Sequence, residues 1–178
     1  DTVEPTLVSS TPGNGTTGVS VDANIVLTFV EPVDAETGNI TIHKTADGST
    51  VETIPAAGGQ VTGSGTTQIT INPSADLSSN TSYYINIDAT AFDDTEGNSF
   101  AGITGSTTVG FTTIDTGAPT LVSSTPADND DDVALKSPSG WEWHIQLTFS
   151  EPVCSIDGKS FRLRKVSDGT VVTEWVVA

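Results

Sequence analysis

The chain of 178 residues sets six Lys and Arg against 23 Asp and Glu, a formal net charge of −17, which argues against a surface built to hold nucleic-acid phosphates or anionic lipid headgroups. Its 17 glycines, nine prolines and lack of methionine suit many short strands joined by tight turns far better than helices. The single cysteine, Cys154, excludes an intramolecular disulfide framework and a Cys-rich zinc site, and no apolar run reaches the length of a membrane-spanning helix.

Residues 1–5, DTVEP, read as a linker, because proline blocks helix propagation and the acid sits at a hinge. No signal peptide precedes them, and this abrupt opening reads as a segment cut from something longer. Residues 6–10 then form a first strand, closed by Thr11, Pro12 and a turn at Gly13, Asn14 and Gly15. Val19, Val21, Ile25, Leu27 and Phe29, with Asp22, Asn24, Val26 and Thr28 between them, predict one strand with an apolar and a wet face. An acidic loop with Asp34, Glu36 and Gly38 leads to a strand that turns Ile40 and Ile42 inward, and Asp47 and Gly48 mark a hairpin. Strands over 51–54, 68–72 and 83–89 follow, and a last one carries Val109 and Phe111. Seven short strands result. Tyr83 comes just after a turn at Ser78, Ser79 and Asn80, the place for a tyrosine corner that ties the connection between two sheets back to the backbone.

The octapeptide PTLVSSTP of residues 5–12 returns at 119–126, and IVLTFVEPVD of 25–34 returns as IQLTFSEPVC at 145–154. The repeated unit has the size of a small β-sandwich, and it divides the chain into 1–114 and 115–178. In the second copy the run DNDDD at 128–132 resembles the start of an EF-hand loop, but Val133 replaces the needed Gly and Ser139 stands where a bidentate Glu belongs. It reads as an acidic turn, with weak cation binding as the alternative. Trp141 and Trp143 continue the apolar stripe of Ile145, Leu147 and Phe149. Core packing is therefore expected for them, against a glycan-stacking platform to which Trp175 would also contribute. His43 and His144 share no metal-site spacing and are expected to face solvent. Phe161 and Leu163 point inward and Arg162 and Arg164 outward, so the basic cluster from Lys159 to Lys165 is one solvated strand face or a contact for an acidic neighbour. Cys154 fills the slot of Asp34 and reads as a packing or neutral substitution.

The succession PTLVSSTP, IVLTFVEPVD, LSSNTSYYINID, DDTEGNSFAG and VGFTT resembles the bacterial Ig-like modules of the SbsA type, found in tandem in S-layer proteins, large adhesins and secreted enzymes. The resemblance implies an all-β fold: an Ig-like β-sandwich, with one complete seven-stranded module followed by a partial second. It covers the first repeat end to end and only the first half of the second, and residues 136–140 depart from the pattern. A half-sandwich exposes its inner face and buries too little surface to offset chain entropy alone. A cut chain, strands from another chain, or an inserted domain between two halves would each account for it.

No nucleophile has a base at a workable spacing, and the carboxylates sit in turns, so catalysis is not expected. A cation site has a geometric argument. In an Ig-type sandwich the first strand begins at the end where the loops after the second strand and before the last emerge. That end would gather Asp1, Glu31, Asp34, Asp93, Asp94 and Glu96, and the matching end of the second repeat offers Asp115, Glu151 and Asp157, met by Asp76. Clustered hard oxygen donors suit calcium, and the resemblance implies junctions stiffened in this way. The plain alternative is that DDTEGN is a tight turn, with Gly97 and Asn98 present for backbone reasons. The sequons at Asn14, Asn39 and Asn80 are expected to be unmodified. These readings together describe a secreted or cell-surface spacer module whose partners are its neighbours in the same polypeptide. The competing readings are a glycan-contacting accessory module of a polysaccharide-degrading enzyme, and a split module carrying an inserted ligand-binding domain.

Overall fold

The computed structural model describes residues 2–128, 145–154, 159–165 and 167–176. The readings of Asp1, of the DNDDD run beyond Asp128, of Trp141, Trp143 and His144, and of Asp157 fall outside these residues. The chain divides into two compact units, Asp1–Gly117 and Ala118–Ala178. Every regular element described is a strand.

Unit 1 is an Ig-like sandwich of two five-stranded sheets. The first sheet runs β1 (Leu7–Thr11), β3 (Ile25–Ala35), β7 (Thr66–Ile71) and β6 (Val61–Thr62), with β9 (Phe92–Asp93) also pairing with β3. The second sheet has the order β2 (Thr16–Val19), β10 (Gly110–Thr113), β8 (Ser82–Ile87), β4 (Asn39–Lys44), β5 (Thr50–Pro55). Period-two alternation aims one set of side chains from each sheet at the other. Ile25, Leu27, Val33, Ile69 and Ile71 from the first sheet, and Ile40, Ile42, Ile54 and Ile85 from the second, are completely buried. An aromatic group closes one end of this core, with Phe29 at 5.6 Å from Phe92 and edge-on to Phe100 at 5.2 Å.

The stripe from Val19 to Phe29 is not one strand. β2 pairs in parallel with β10 in the second sheet, whereas β3 belongs to the first. Between them the chain reverses: the Ala23 amide donates to the Ser20 carbonyl, and the Ser20 hydroxyl donates to the Asp22 carboxylate. Side-chain hydrogen bonds of Ser and Asp to nearby groups compete with the ladder in this way. Two very short strands, β6 and β9, also lie in stretches that read as connections, which raises the count from seven to ten.

The tyrosine corner is present. The Tyr83 hydroxyl accepts from the Ser78 amide at 2.9 Å, while the ring is buried and lies 6.0 Å from Phe111. Thr113, also buried, accepts from the Thr81 amide and donates to the Ser78 carbonyl at 2.7 Å. Asn80 takes the left-handed conformation, φ 48°, that the turn requires, and asparagine tolerates that region better than most residues. A loop joining the two sheets thus has its buried backbone groups satisfied by two side chains.

Unit 2 comprises the pair β11 (Leu121–Thr125) with β12 (Gln146–Phe149) and the pair β13 (Ser160–Arg164) with β14 (Val171–Val176). The pairings copy those of unit 1: Leu121 lies opposite Phe149 as Leu7 lies opposite Phe29. The Asp168 carboxylate accepts from the amide and hydroxyl of Thr170 as Asp47 accepts from those of Ser49. Arg162 sits opposite Glu174 and pairs with it at 2.9 Å on an exposed surface, where such pairs contribute little.

Replacing Tyr83 by Phe leaves the Ser78 amide without its partner in a half-buried loop, so unit 1 should lose about 1–3 kcal/mol. Denaturant unfolding followed by tyrosine fluorescence or circular dichroism reads this directly. An unchanged midpoint would show that the corner is dispensable.

Candidate functional site

β3 leaves β7 at Val33 and takes β9 as its partner, with Ala35 opposite Phe92 and Asp34 opposite Asp93. The cause is apolar. Phe92 is completely buried against Phe29, and its neighbour in the chain is carried with it onto the ladder. Two carboxylates therefore stand on paired positions, where like charges are unfavourable. Asp34 accepts from the Ser64 hydroxyl at 3.1 Å, while Oδ1 of Asp93 is buried without a hydrogen-bond partner. Glu31 lies earlier on β3 and is half-buried.

Asp94 serves a different purpose. It is only 4% exposed, and its own turn occupies both carboxylate oxygens. Oδ2 accepts from the Asn98 side-chain amide at 2.7 Å, and Oδ1 accepts from the backbone amides of Asn98 at 2.7 Å and Glu96 at 3.0 Å. The Asn98 side chain first, and then those backbone amides, hold the Asp94 carboxyl below its ordinary value of 3.8 against the upward pull of desolvation. The tight turn expected as the plain reading of DDTEGN is the one observed, with Gly97 at φ 86°. Asp94 is a turn-forming group, not a free ligand.

Asp115 lies at the opposite end of unit 1. β7 ends at Ile71 opposite Ile25, while β9 meets β3 at its far terminus. There Asp115 accepts from Ser79 Oγ at 3.3 Å, from Asn80 Nδ2 at 3.4 Å and from the Gly117 amide at 2.8 Å. The Thr116 amide donates to Ser79 Oγ at 2.7 Å and the Asn80 amide to the Ile114 carbonyl at 3.1 Å. Residues 114–117 are thus fastened to the loop that carries the tyrosine corner. The sequence reading missed this staple, although a serine and an asparagine ahead of the corner were its signal.

Asp76 and Asp22 line a depression of about 160 Å³ with Val21, Asn72, Pro73, Ser74 and Ala75, smaller than the pockets that enclose small-molecule ligands. Glu151 is half-buried in unit 2. Among the described residues no three His, Cys, Asp or Glu side chains come near enough to hold a metal ion. His43 lies on the outer face of its sheet, opposite the buried Ile40 and Ile42, and is half-buried there: its ring stacks on Tyr84 at 4.9 Å and is bracketed by Thr41 and the Gly48 carbonyl.

Because folding lowers the Asp94 pKa, its contribution is complete above the ordinary carboxylate range and is lost as pH falls through the folded value. Asp94→Asn should therefore unfold more easily near neutrality, and its melting temperature should fall less than that of the wild type between about pH 6 and pH 3. Parallel pH-dependent melting curves would refute a structural role for the carboxylate.

No curated protein has a matching sequence. Two solved structures with similar chain paths are the CopC protein of Methylosinus trichosporium OB3b, at TM-score 0.45 and 14% identity over 64% of this chain and 97% of that one, and an S-layer protein, rSbsC(31-844), at TM-score 0.41 and 16% identity over 95% of this chain. This chain spans 22% of the S-layer protein's length. The family model described as bacterial Ig-like domain matches residues 1–113 and again 115–178. With the two-sheet sandwich and its tyrosine corner in place, and only residue 114 left between the two matches, the chain belongs to the bacterial Ig-like domain family.

Proposed function

We propose that this chain is a non-catalytic spacer of a bacterial surface or secreted protein, built from Ig-like modules of the SbsA type in the manner of adhesins and S-layer proteins. The observation that carries this reading is the junction. Two family modules follow each other with one residue between their matches, and the connecting residues 114–117 are held to unit 1 by Asp115, Ser79 and Asn80. A segment tied down by several hydrogen bonds has fewer accessible states than a free one, which suits a spacer. The net charge of −17 keeps such modules from associating.

Calcium binding belongs to the same proposal. Asp34 and the unpartnered oxygen of Asp93 supply donors at the other end of unit 1, with Asp1 and Glu31 as further candidates. Calcium takes six to eight oxygens, so these groups need additional ligands to complete a shell. Asp94 and Asp115 are already committed to hydrogen bonds within unit 1. At that tip the ion would offset the repulsion between Asp34 and Asp93.

Two measurements test the proposal. Small-angle scattering should show a broader distribution of dimensions for the Ser79→Ala, Asp115→Ala double variant than for the wild type, and identical distributions would remove the tied connector. For calcium, unit 1 should gain about 2.7 kcal/mol at an ion concentration of about 100 times the dissociation constant. Melting should be specific for calcium over magnesium and insensitive to it in Asp93→Ala. Equal melting temperatures in calcium, magnesium and chelator would leave the acids as solubilising charge.

A further inference from the structure

The turn between β1 and β2 contains Asn14 followed by Gly15, the one Asn-Gly pair in the chain. The pair suits a tight turn because both residues accept backbone conformations that others resist, and Gly15 has φ 77°. It is also the dipeptide most prone to spontaneous loss of the side-chain amide. The nitrogen of the following residue attacks the asparagine Cγ, and glycine has no Cβ to hinder the approach.

In unit 1 one distant segment holds both reacting groups. Nδ2 of Asn14 donates to the Thr107 carbonyl at 2.8 Å, and its Oδ1 accepts from the Gly110 amide at 3.0 Å. The Gly15 amide, the nucleophile, donates to the Gly110 carbonyl at 2.7 Å. This clamp fixes the carboxamide through both of its polar atoms and engages the proton that the attack must lose. The strand that follows it is the weak point of the sheet. β2 lies at the edge, pairs with β10 alone, and has residues 16–18 exposed. A short edge element with little buried surface opens locally at a lower cost than the core does.

We propose that Asn14 is a modification site gated by the opening of β2 from β10. Once the clamp opens, the Gly15 nitrogen gives its proton to solvent and bonds to Asn14 Cγ. The Cγ–Nδ2 bond breaks, ammonia leaves and a cyclic succinimide remains. Water then adds at either carbonyl and opens the ring to aspartate or isoaspartate, so the net change consumes a water and releases an ammonia. The product does not fit the clamp. Where Nδ2 donated, a carboxylate oxygen faces the Thr107 carbonyl, and two acceptors meet with no proton between them. In isoaspartate the main chain runs through an extra methylene, which displaces the Gly15 amide from Gly110. The next residue, Thr16, is in register with the buried Phe111, so the loss reaches the sheet. Each opening thus exposes the pair to a step that keeps the edge open, and the chain records that opening covalently. This chemistry requires neither the spacer reading nor calcium.

Incubating the full chain in mildly alkaline buffer, with and without denaturant, and mapping its peptides by mass spectrometry reads the amide-to-acid conversion at each asparagine. In denaturant Asn14 should convert ahead of all other asparagines. In the folded chain its conversion should be at least about tenfold slower, since hydrogen bonds from both groups must break first, and should rise with added denaturant in step with hydrogen exchange of the Gly15 amide. The variant Asn14→Asp, which carries the carboxylate of the product, should exchange faster than the wild type at residues 15–19 and 110–113, with the hairpin of β4 and β5 unchanged. Equal rates of conversion in folded and denatured chains, or another asparagine converting first in denaturant, would overturn the proposal. So would wild-type exchange at residues 15–19 in Asn14→Asp, which would show that the product fits the clamp.

Discussion

The inner face of β3 is the surface on which the sandwich depends. Ile25, Leu27 and Val33 are wholly buried and Phe29 nearly so. Burying aliphatic side chains of this size contributes about 1.5–3 kcal/mol each, so the strand must be covered by the opposite sheet and flanked along both edges. β1, β7 and β9 share those edges. The tyrosine corner follows from the same demand, because a chain that supplies β7 to one sheet and β8 to the other must cross between them, and its buried backbone groups need partners there.

Among the described residues, unit 2 repeats the short-range part of this arrangement. Its strand pairs reproduce local features of unit 1 closely. The hairpin amides of Gly48 and Gly169 both donate to a lysine carbonyl at 2.9 Å, and the hydroxyls of Ser10 and Ser124 both donate to a proline carbonyl. Turn chemistry and strand pairing are short-range and arise wherever the local sequence is repeated. Burial is long-range and does not.

Part of the negative charge is structural. Asp47, Asp94, Asp115 and Asp168 each accept from the backbone amide two residues ahead, at 2.8–3.0 Å. Such turns favour the ionised carboxylate, and hydrogen bonds lower the pKa of Asp47, Asp94 and Asp168. Acids drawn together at a tip thus divide into groups whose oxygens are spent on their own turns and groups such as Asp93 whose oxygens are not. Counting carboxylates at one end of a module does not distinguish the two.

Strand alternation, the Asp-Gly hairpins, the repeat and the position of Tyr83 were legible in the sequence because each depends on residues close together in the chain. The alternation of Ile40 with Ile42, or Ile85 with Ile87, states which side of a strand is apolar without reference to any neighbour. Tertiary structure decided the rest. It separated β2 from β3 by giving them different partners, and it recruited Phe92 to the aromatic group, which set Asp93 against Asp34. It also tied Asp115 to Ser79 and Asn80, which are distant from it in the chain. The physical reason is that a side chain's pattern is a property of its own strand, whereas its burial and the occupancy of its polar atoms depend on which distant segment packs against it.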